Sequence, residues 1–263
     1  MGQRRFRWLL LSGAAAGLFC AASVHALNTQ RLDPAEADTL QAILRKLEPL
    51  IAVKKQDGTA NILTWEELYG PLSPDERALL DAFRRLKAAA LGATSHYFGE
   101  VSGAVDLVPV GPQSIVQGGE VKPLDPQFLP RAAFEAYERM MAAMERDVGK
   151  RLRVESGYRC PAYQLYLFLF YLPKHGSSIV ETNRFVALPG HSEHGHPPRQ
   201  AVDFINAEGI NGEDHPEEFE ALPEYRWLQQ HAKRFGFALS YPRDNPHNTS
   251  FEPWHWHHEG EAR

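Results

Sequence analysis

Phe251-Glu252-Pro253-Trp254-His255-Trp256-His257-His258 sets one carboxylate and three imidazoles among aromatic side chains and a single proline, near the end of a 263-residue chain. Aromatic residues favour a half-buried strand. Carboxylates and imidazoles are costly to bury unless they pair with one another or hold a metal. The stretch therefore reads as a final strand, starting at Phe251, that carries a functional site. Glu252 and His255 are three apart, which on a regular strand sends them to opposite faces. Pro253 removes a ladder donor and favours an edge or a bulge, where a local bend can aim both inward.

A second polar stretch lies upstream. Ala187-Leu188-Pro189-Gly190-His191-Ser192-Glu193-His194-Gly195-His196 runs into Ala201-Val202-Asp203-Phe204-Ile205. Catalytic zinc sites usually take three protein ligands from His, Asp, Glu or Cys and leave a fourth position for water. His194, Asp203 and His255 can supply the three, and Glu252 is the candidate base that would take a proton from such a water. No His-Glu-x-x-His helix occurs, so the commonest metalloprotease helix is excluded. His191, His196, His257 and His258 exceed what three ligands need. Of these, His257 is the best placed for a role in the pocket, two beyond His255 and on the same strand face.

The surrounding pattern predicts an α+β domain with a small antiparallel sheet flanked by helices, preceded by a mainly helical N-terminal region. Asp33-Pro34-Ala35-Glu36 and Ser73-Pro74-Asp75-Glu76 open helices with a capping residue, a first-turn proline and an acid three later. Leu40, Ile43, Leu44 and Leu47 form one apolar stripe, and Leu79, Leu80, Phe83 and Leu86 another, with Gly92 near that helix's end. Two apolar runs around Gln56-Asp57-Gly58 suggest a hairpin. Thr94 to Pro130 is punctuated by Gly and Pro and reads as loop or short strands, with a domain boundary at about residue 127. Beyond it come a helix bearing Phe134, Tyr137, Met141 and Met144 and ending at Gly149, and a strand through Leu152 and Val154. An apolar helix from Tyr163 to Leu172 holds the conspicuous polar group Gln164. A buried strand from Ala201 to Ile205, a helix from Pro223 to Phe235 and a strand from Phe237 to Tyr241 follow.

Residues 1–26, with Arg4, Arg5 and Arg7, an apolar run from Trp8 to Ala22 and Val24-His25-Ala26, read as a secretory signal. That run is shorter than the ~20 residues of a membrane span, so stable membrane insertion after signal removal is not expected, and a periplasmic or secreted product is. Of 28 basic residues three leave with this segment and no acid does, so 25 stand against 33 acidic ones, a formal charge of −8. Nucleic acid is thereby an improbable partner. Cys20 leaves too, so Cys160 stands without a disulfide partner and reads as a packed thiol.

Four ordered motifs carry a family likeness: Ser156-Gly157-Tyr158-Arg159, Ala187-x-Pro189-Gly190-x-Ser192-Glu193-His194, Ala201-x-Asp203 and Glu252-Pro253-Trp254-His255. From about Phe128 to the C-terminus the chain resembles the VanY-type D-alanyl-D-alanine carboxypeptidases, zinc peptidases of bacterial cell-wall peptides. The resemblance implies Zn2+ held by His194, Asp203 and His255, Glu252 as general base, and Arg159 facing the substrate carbonyl. Gln164, Ser192 and Tyr158 would line the pocket for a peptidoglycan stem peptide. An L,D-carboxypeptidase or a cross-link endopeptidase of the same fold, or a non-catalytic cell-wall-binding module, are the alternatives. Two departures stand out. The family spaces its first histidine and the aspartate seven apart, whereas His194 and Asp203 are nine apart, which leaves His196 as a rival ligand. Ser240 precedes Tyr241-Pro242 where the family often has arginine.

Overall fold

The structure is a computed structural model that describes residues 27–91, 97–100, 105–246 and 250–259; the expected export segment and Gly92 lie outside these. Helix α1, Pro34–Gln56, begins at a reciprocal cap. Asp33 accepts from the Glu36 N–H at 2.8 Å, and Glu36 accepts from the Asp33 N–H at 3.0 Å. Such a cap satisfies two otherwise orphaned donors. Helices α2, Trp65–Tyr69, and α3, Pro74–Arg84, open with the same device. The hairpin expected around Asp57-Gly58 does not form. Leu47 and Ile51 continue the buried stripe of Leu40 and Ile43, so α1 runs on, and Gly58 at φ +70° serves as its left-handed stop.

Four short strands follow: β1, Leu107–Pro109; β2, Ser114–Gln117; β3, Glu120–Pro123; and β4, Phe128–Pro130. They form two antiparallel pairs, β1 with β4 and β2 with β3. The amide of Gln113 donates to Val154 O and accepts from Val154 N–H, both at 2.9 Å, and so mimics a ladder rung on the next strand. Helix α4, Arg131–Val148, stops at Gly149 in the left-handed region. Then come β5, Arg153–Ser156; α5, Pro161–Tyr171; α6, Ile179–Thr182; β6, Gln200–Ile205; α7, Pro216–Glu220; α8, Pro223–His231; β7, Phe237–Leu239; and β8, His255–His258.

β5, β6, β8 and β7 form one antiparallel sheet in that spatial order. The molecule is α+β, as expected. The last strand starts four residues later than expected and is interior to the sheet. Pro253 and Trp254 form a turn before it, in which the His255 N–H donates to Glu252 O at 3.1 Å. A proline that precedes a strand costs no ladder bond.

One core packs α4 and α8 on the sheet through Tyr137, Met141, Val202, Phe204 and Trp256. The other packs the N-terminal helices on α5, with Ile43, Leu47 and Phe83 against Leu165, Phe168 and Leu169. That cover explains why α5 carries so little polarity. Among the described residues no helix is long and apolar enough to cross a membrane.

Candidate metal centre

Register builds the centre. β6 and β8 pair so that Asp203 lies opposite His255 and Val202 opposite Trp256. Side chains alternate along a strand and directly opposed residues share a face. Val202 and Trp256 therefore enter the core, while Asp203 and His255 emerge together on the other face. Asp203 Oδ1 lies 2.8 Å from Nδ1 of His255, and Oδ2 lies 3.1 Å from Nε2 of His194.

His194 arrives on a single 3-10 turn, Glu193–Gly195. Its Nδ1 sits 2.8 Å from Gly157 O, which fixes the ring and leaves Nε2 for the centre. A second short turn, Pro197–Arg199, takes up the extra residues before Asp203. His196 is not part of the group; its ring stacks on Phe98 at 5.1 Å between centroids. Gly157 is required sterically, because a Cβ there would meet the backbone oxygen of Phe128 at 2.5 Å.

The donor set fits a cation. His194, Asp203 and His255 each offer one ligand atom, all within 4.8 Å of one another, and two imidazoles with one carboxylate suit zinc. Asp203 Oδ1 is buried and, for all its closeness to His255, makes no hydrogen bond of proper geometry. Burial favours a protonated Asp203, yet His194 and His255 outweigh it and hold the carboxyl well below its ordinary range. Burial lowers His194, favouring the neutral imidazole that a metal needs. For His255 burial acts the same way, but Asp203, Glu193 and Glu252 push it up to about 10. The negative field that would hold a proton there equally favours a divalent cation.

Glu252 stands at the edge, 3.8 Å from Nδ1 of His255. Burial raises its carboxyl to about 7. Arg159 donates through Nη1 to Gln164 Oε1 and through Nη2 to Ser156 Oγ, both at 2.9 Å, and its backbone N–H donates to His194 O at 3.0 Å. Gln164, buried, also donates to Ala187 O at 2.6 Å, so it stands behind the guanidinium and orients it. Ser192 is half-buried and precedes the turn that carries His194, its backbone oxygen accepting from the Gly195 N–H at 3.1 Å. Tyr158 turns into the N-terminal core. His257 shares the face of His255 but is buried, 2.7 Å from Ser240 Oγ and 3.1 Å from Glu259. Cys160 is a packed thiol as expected, donating to Leu63 O at 2.9 Å and pushed up to about 11 by burial.

One buried group escaped the sequence reading as a contributor. Glu193 Oε2 lies 3.1 Å from Nε2 of His255 and accepts from Ser240 Oγ at 2.5 Å, and Oε1 accepts from Arg199 Nε at 2.7 Å. Burial pushes this carboxyl up, but His255, Ser240 and Arg199 together hold it well below its ordinary range. Adjacency to His194 was the only signal, and neighbours on a tight turn point in different directions.

The sequence model of VanY, D-alanyl-D-alanine carboxypeptidase, matches residues 127–261. A D-alanyl-D-alanine carboxypeptidase of Enterococcus faecalis is 42% identical over 83 residues, 31% of this chain and 27% of that protein. The bifunctional D-Ala-D-Ala dipeptidase and carboxypeptidase VanXYC of Enterococcus gallinarum is 30% identical over 143 residues, 51% of this chain and 68% of that protein. The chain thus spans between 27% and 68% of the length of these curated relatives. Among solved structures, the LdcB LD-carboxypeptidase shares 27% identity at a TM-score of 0.47, covering 62% of this chain and 70% of its own. The D,D-pentapeptidase VanY of a VanB-type resistance cassette, solved with Zn(II), shares 28% at a TM-score of 0.40, covering 51% and 74%. From residue 127 onward, then, the sequence that folds into this sheet and its buried His-Asp-His group belongs to the VanY D-alanyl-D-alanine carboxypeptidase family.

Proposed function

We propose that the protein is an exported zinc metallopeptidase that acts on peptidoglycan stem peptides and releases the terminal D-alanine. One observation carries this reading: a single carboxylate, Asp203, touches both His194 and His255, with the Glu252 carboxylate beside them. His194, Asp203 and His255 would hold a zinc ion, which when bound would supply the Lewis acidity that polarises a carbonyl and lowers the pKa of water toward ~7.

The chain's own groups do the rest. Glu252, with a carboxyl raised to about 7, can take a proton from the attacking water and return it to the leaving amine. Arg159, fixed by Gln164 and Ser156, offers its remaining N–H groups to the oxygen on which charge develops, an effect often worth about 3 kcal/mol. Glu193, Gly157 and Gln164 hold the ligands and the arginine in place. The basic, apolar and small-residue pattern of residues 1–26 supports export.

Glu252→Ala tests the reading. The variant is expected to keep zinc at the wild-type stoichiometry while D-alanine release falls by roughly 10²–10⁴. Unchanged release would remove Glu252 as the base.

A further inference from the structure

Against the Arg159 side chain lies a cavity of about 180 Å³ whose walls come from two parts of the chain. Lys55 and Asn61 stand on the side of α1 and the turn after it. Ser156 and Arg159 stand on the other. The two sides are tied together. Cys160 N–H donates to Asn61 O at 2.9 Å, and Asn61 Nδ2 donates at 3.0 Å to Gln127 Oε1, which also accepts from the Gly157 N–H at 3.0 Å. Gly58 approaches Pro126 so closely that a Cβ would meet its ring at 2.5 Å. This wall is fitted to the Arg159 loop.

Its charges are unbalanced. The Arg159 guanidinium donates to the neutral acceptors Gln164 and Ser156. Lys54 pairs with Glu67, but Lys55 takes part in no salt bridge among the described residues. Asp125, at the rim, is solvent-exposed, and its contact with Gln127 runs through its backbone oxygen. Two cations in one cleft without a bonded carboxylate form a receptor for an anion. On the other flank of the centre, Ser240 stands before Tyr241-Pro242 and is engaged with Glu193, and the Arg199 guanidinium there is already paired with the same carboxylate.

Resting on the peptidase reading above, we propose that this cavity is a substrate subsite in which Lys55 takes a carboxylate of the peptide, with the Arg159 guanidinium, which serves the scissile carbonyl, adding positive charge at its wall. The N-terminal helical region thereby supplies one wall of the substrate cleft. Two carboxylates could occupy it: the peptide's C-terminal group, or an acidic side chain before the scissile bond.

Calorimetry on the full-length Glu252→Ala protein, zinc-bound, measures peptide binding without turnover. Three synthetic peptides ending in D-alanyl-D-alanine serve: one with both carboxylates free, one amidated at the C-terminus, one amidated at the internal side chain. Amidation at one position should weaken binding roughly five- to tenfold and so identify the source. Adding Lys55→Glu should abolish that difference, and Lys55→Gln should reduce it. Equal binding of all three peptides, a difference that survives Lys55→Glu, or no binding at all overturns the subsite. D-Alanine release by the unsubstituted protein is followed in parallel. Release without a Lys55-dependent preference sinks the subsite and leaves the peptidase reading standing. The preference without release does the reverse.

Discussion

Oε2 of Glu193 lies 3.1 Å from Nε2 of His255, at the edge of the imidazole opposite the one that meets Asp203. A ligand gripped at its far nitrogen has a fixed tautomer and a fixed aim, and carboxylate partners of this kind raise ligand basicity. Glu193→Ala is accordingly expected to weaken zinc binding roughly 10- to 100-fold in competition with a chelator. Glu193→Gln, which keeps an acceptor for Ser240, should fall between. Wild-type affinity in both variants would remove Glu193 from the account.

His194 and His196 separate cleanly. Nε2 of His194 faces Asp203, and its other nitrogen is held by Gly157 O. The ring of His196 stacks on Phe98 instead. His194→Ala should lose zinc on dialysis and His196→Ala should retain it, as counted by atomic absorption. Loss confined to the His196 variant would reverse the assignment.

Gly157 sits where three demands meet: its N–H binds Gln127, its oxygen holds His194, and a Cβ would strike Phe128 O at 2.5 Å. The obstacle is backbone and cannot swing aside. Gly157→Ala should destabilise the fold by about 1–3 kcal/mol, read as a lower urea midpoint at constant slope. An unchanged midpoint would show that the loop has room to move.

Glu155, on the strand next to Asp203, gives a pH signature of its own. Burial raises its carboxyl from 4.5 to about 7, opposed by the bond from Asn211. The folded state therefore holds a proton that the unfolded chain gives up earlier. That contribution is full below 4.5 and lost as pH rises through about 7. Glu155→Gln keeps the acceptor and removes the charge. Its stability should match wild type near pH 4.5 and exceed it at pH 8, by roughly 1 kcal/mol after allowance for partial exposure, read as a higher melting temperature at pH 8 only. Equal melting temperatures at both pH values would contradict this.

Much of the fold was legible because local signals agreed. The Asp33-Glu36 and Ser73-Glu76 pairs announced helix starts that the structure places where expected, and Gly149 closed α4 as its position suggested. The hairpin at Asp57-Gly58 was misread because the same dipeptide suits a turn and a helix stop, and only the tertiary burial of Ile51 decides between them. The start of the last strand was misjudged because Phe251 and Trp254 have strand propensity while Pro253 imposes a turn. The group of His194, Asp203 and His255 was legible as residue types in order, and the geometry brings those three together. Glu193, and the contribution of Lys55 and Asn61 to the cleft, were not. Both depend on contacts between segments far apart in sequence, which spacing does not encode.

The central claim is a metal-dependent peptidase that removes a terminal D-alanine, and mass spectrometry tests it most directly. A defined stem pentapeptide ending in D-alanyl-D-alanine is incubated with the protein, with and without a chelator, and with zinc restored. The account predicts loss of a single alanine residue that the chelator stops and zinc restores. An intact pentapeptide under all three conditions, or cleavage indifferent to the chelator, would contradict it.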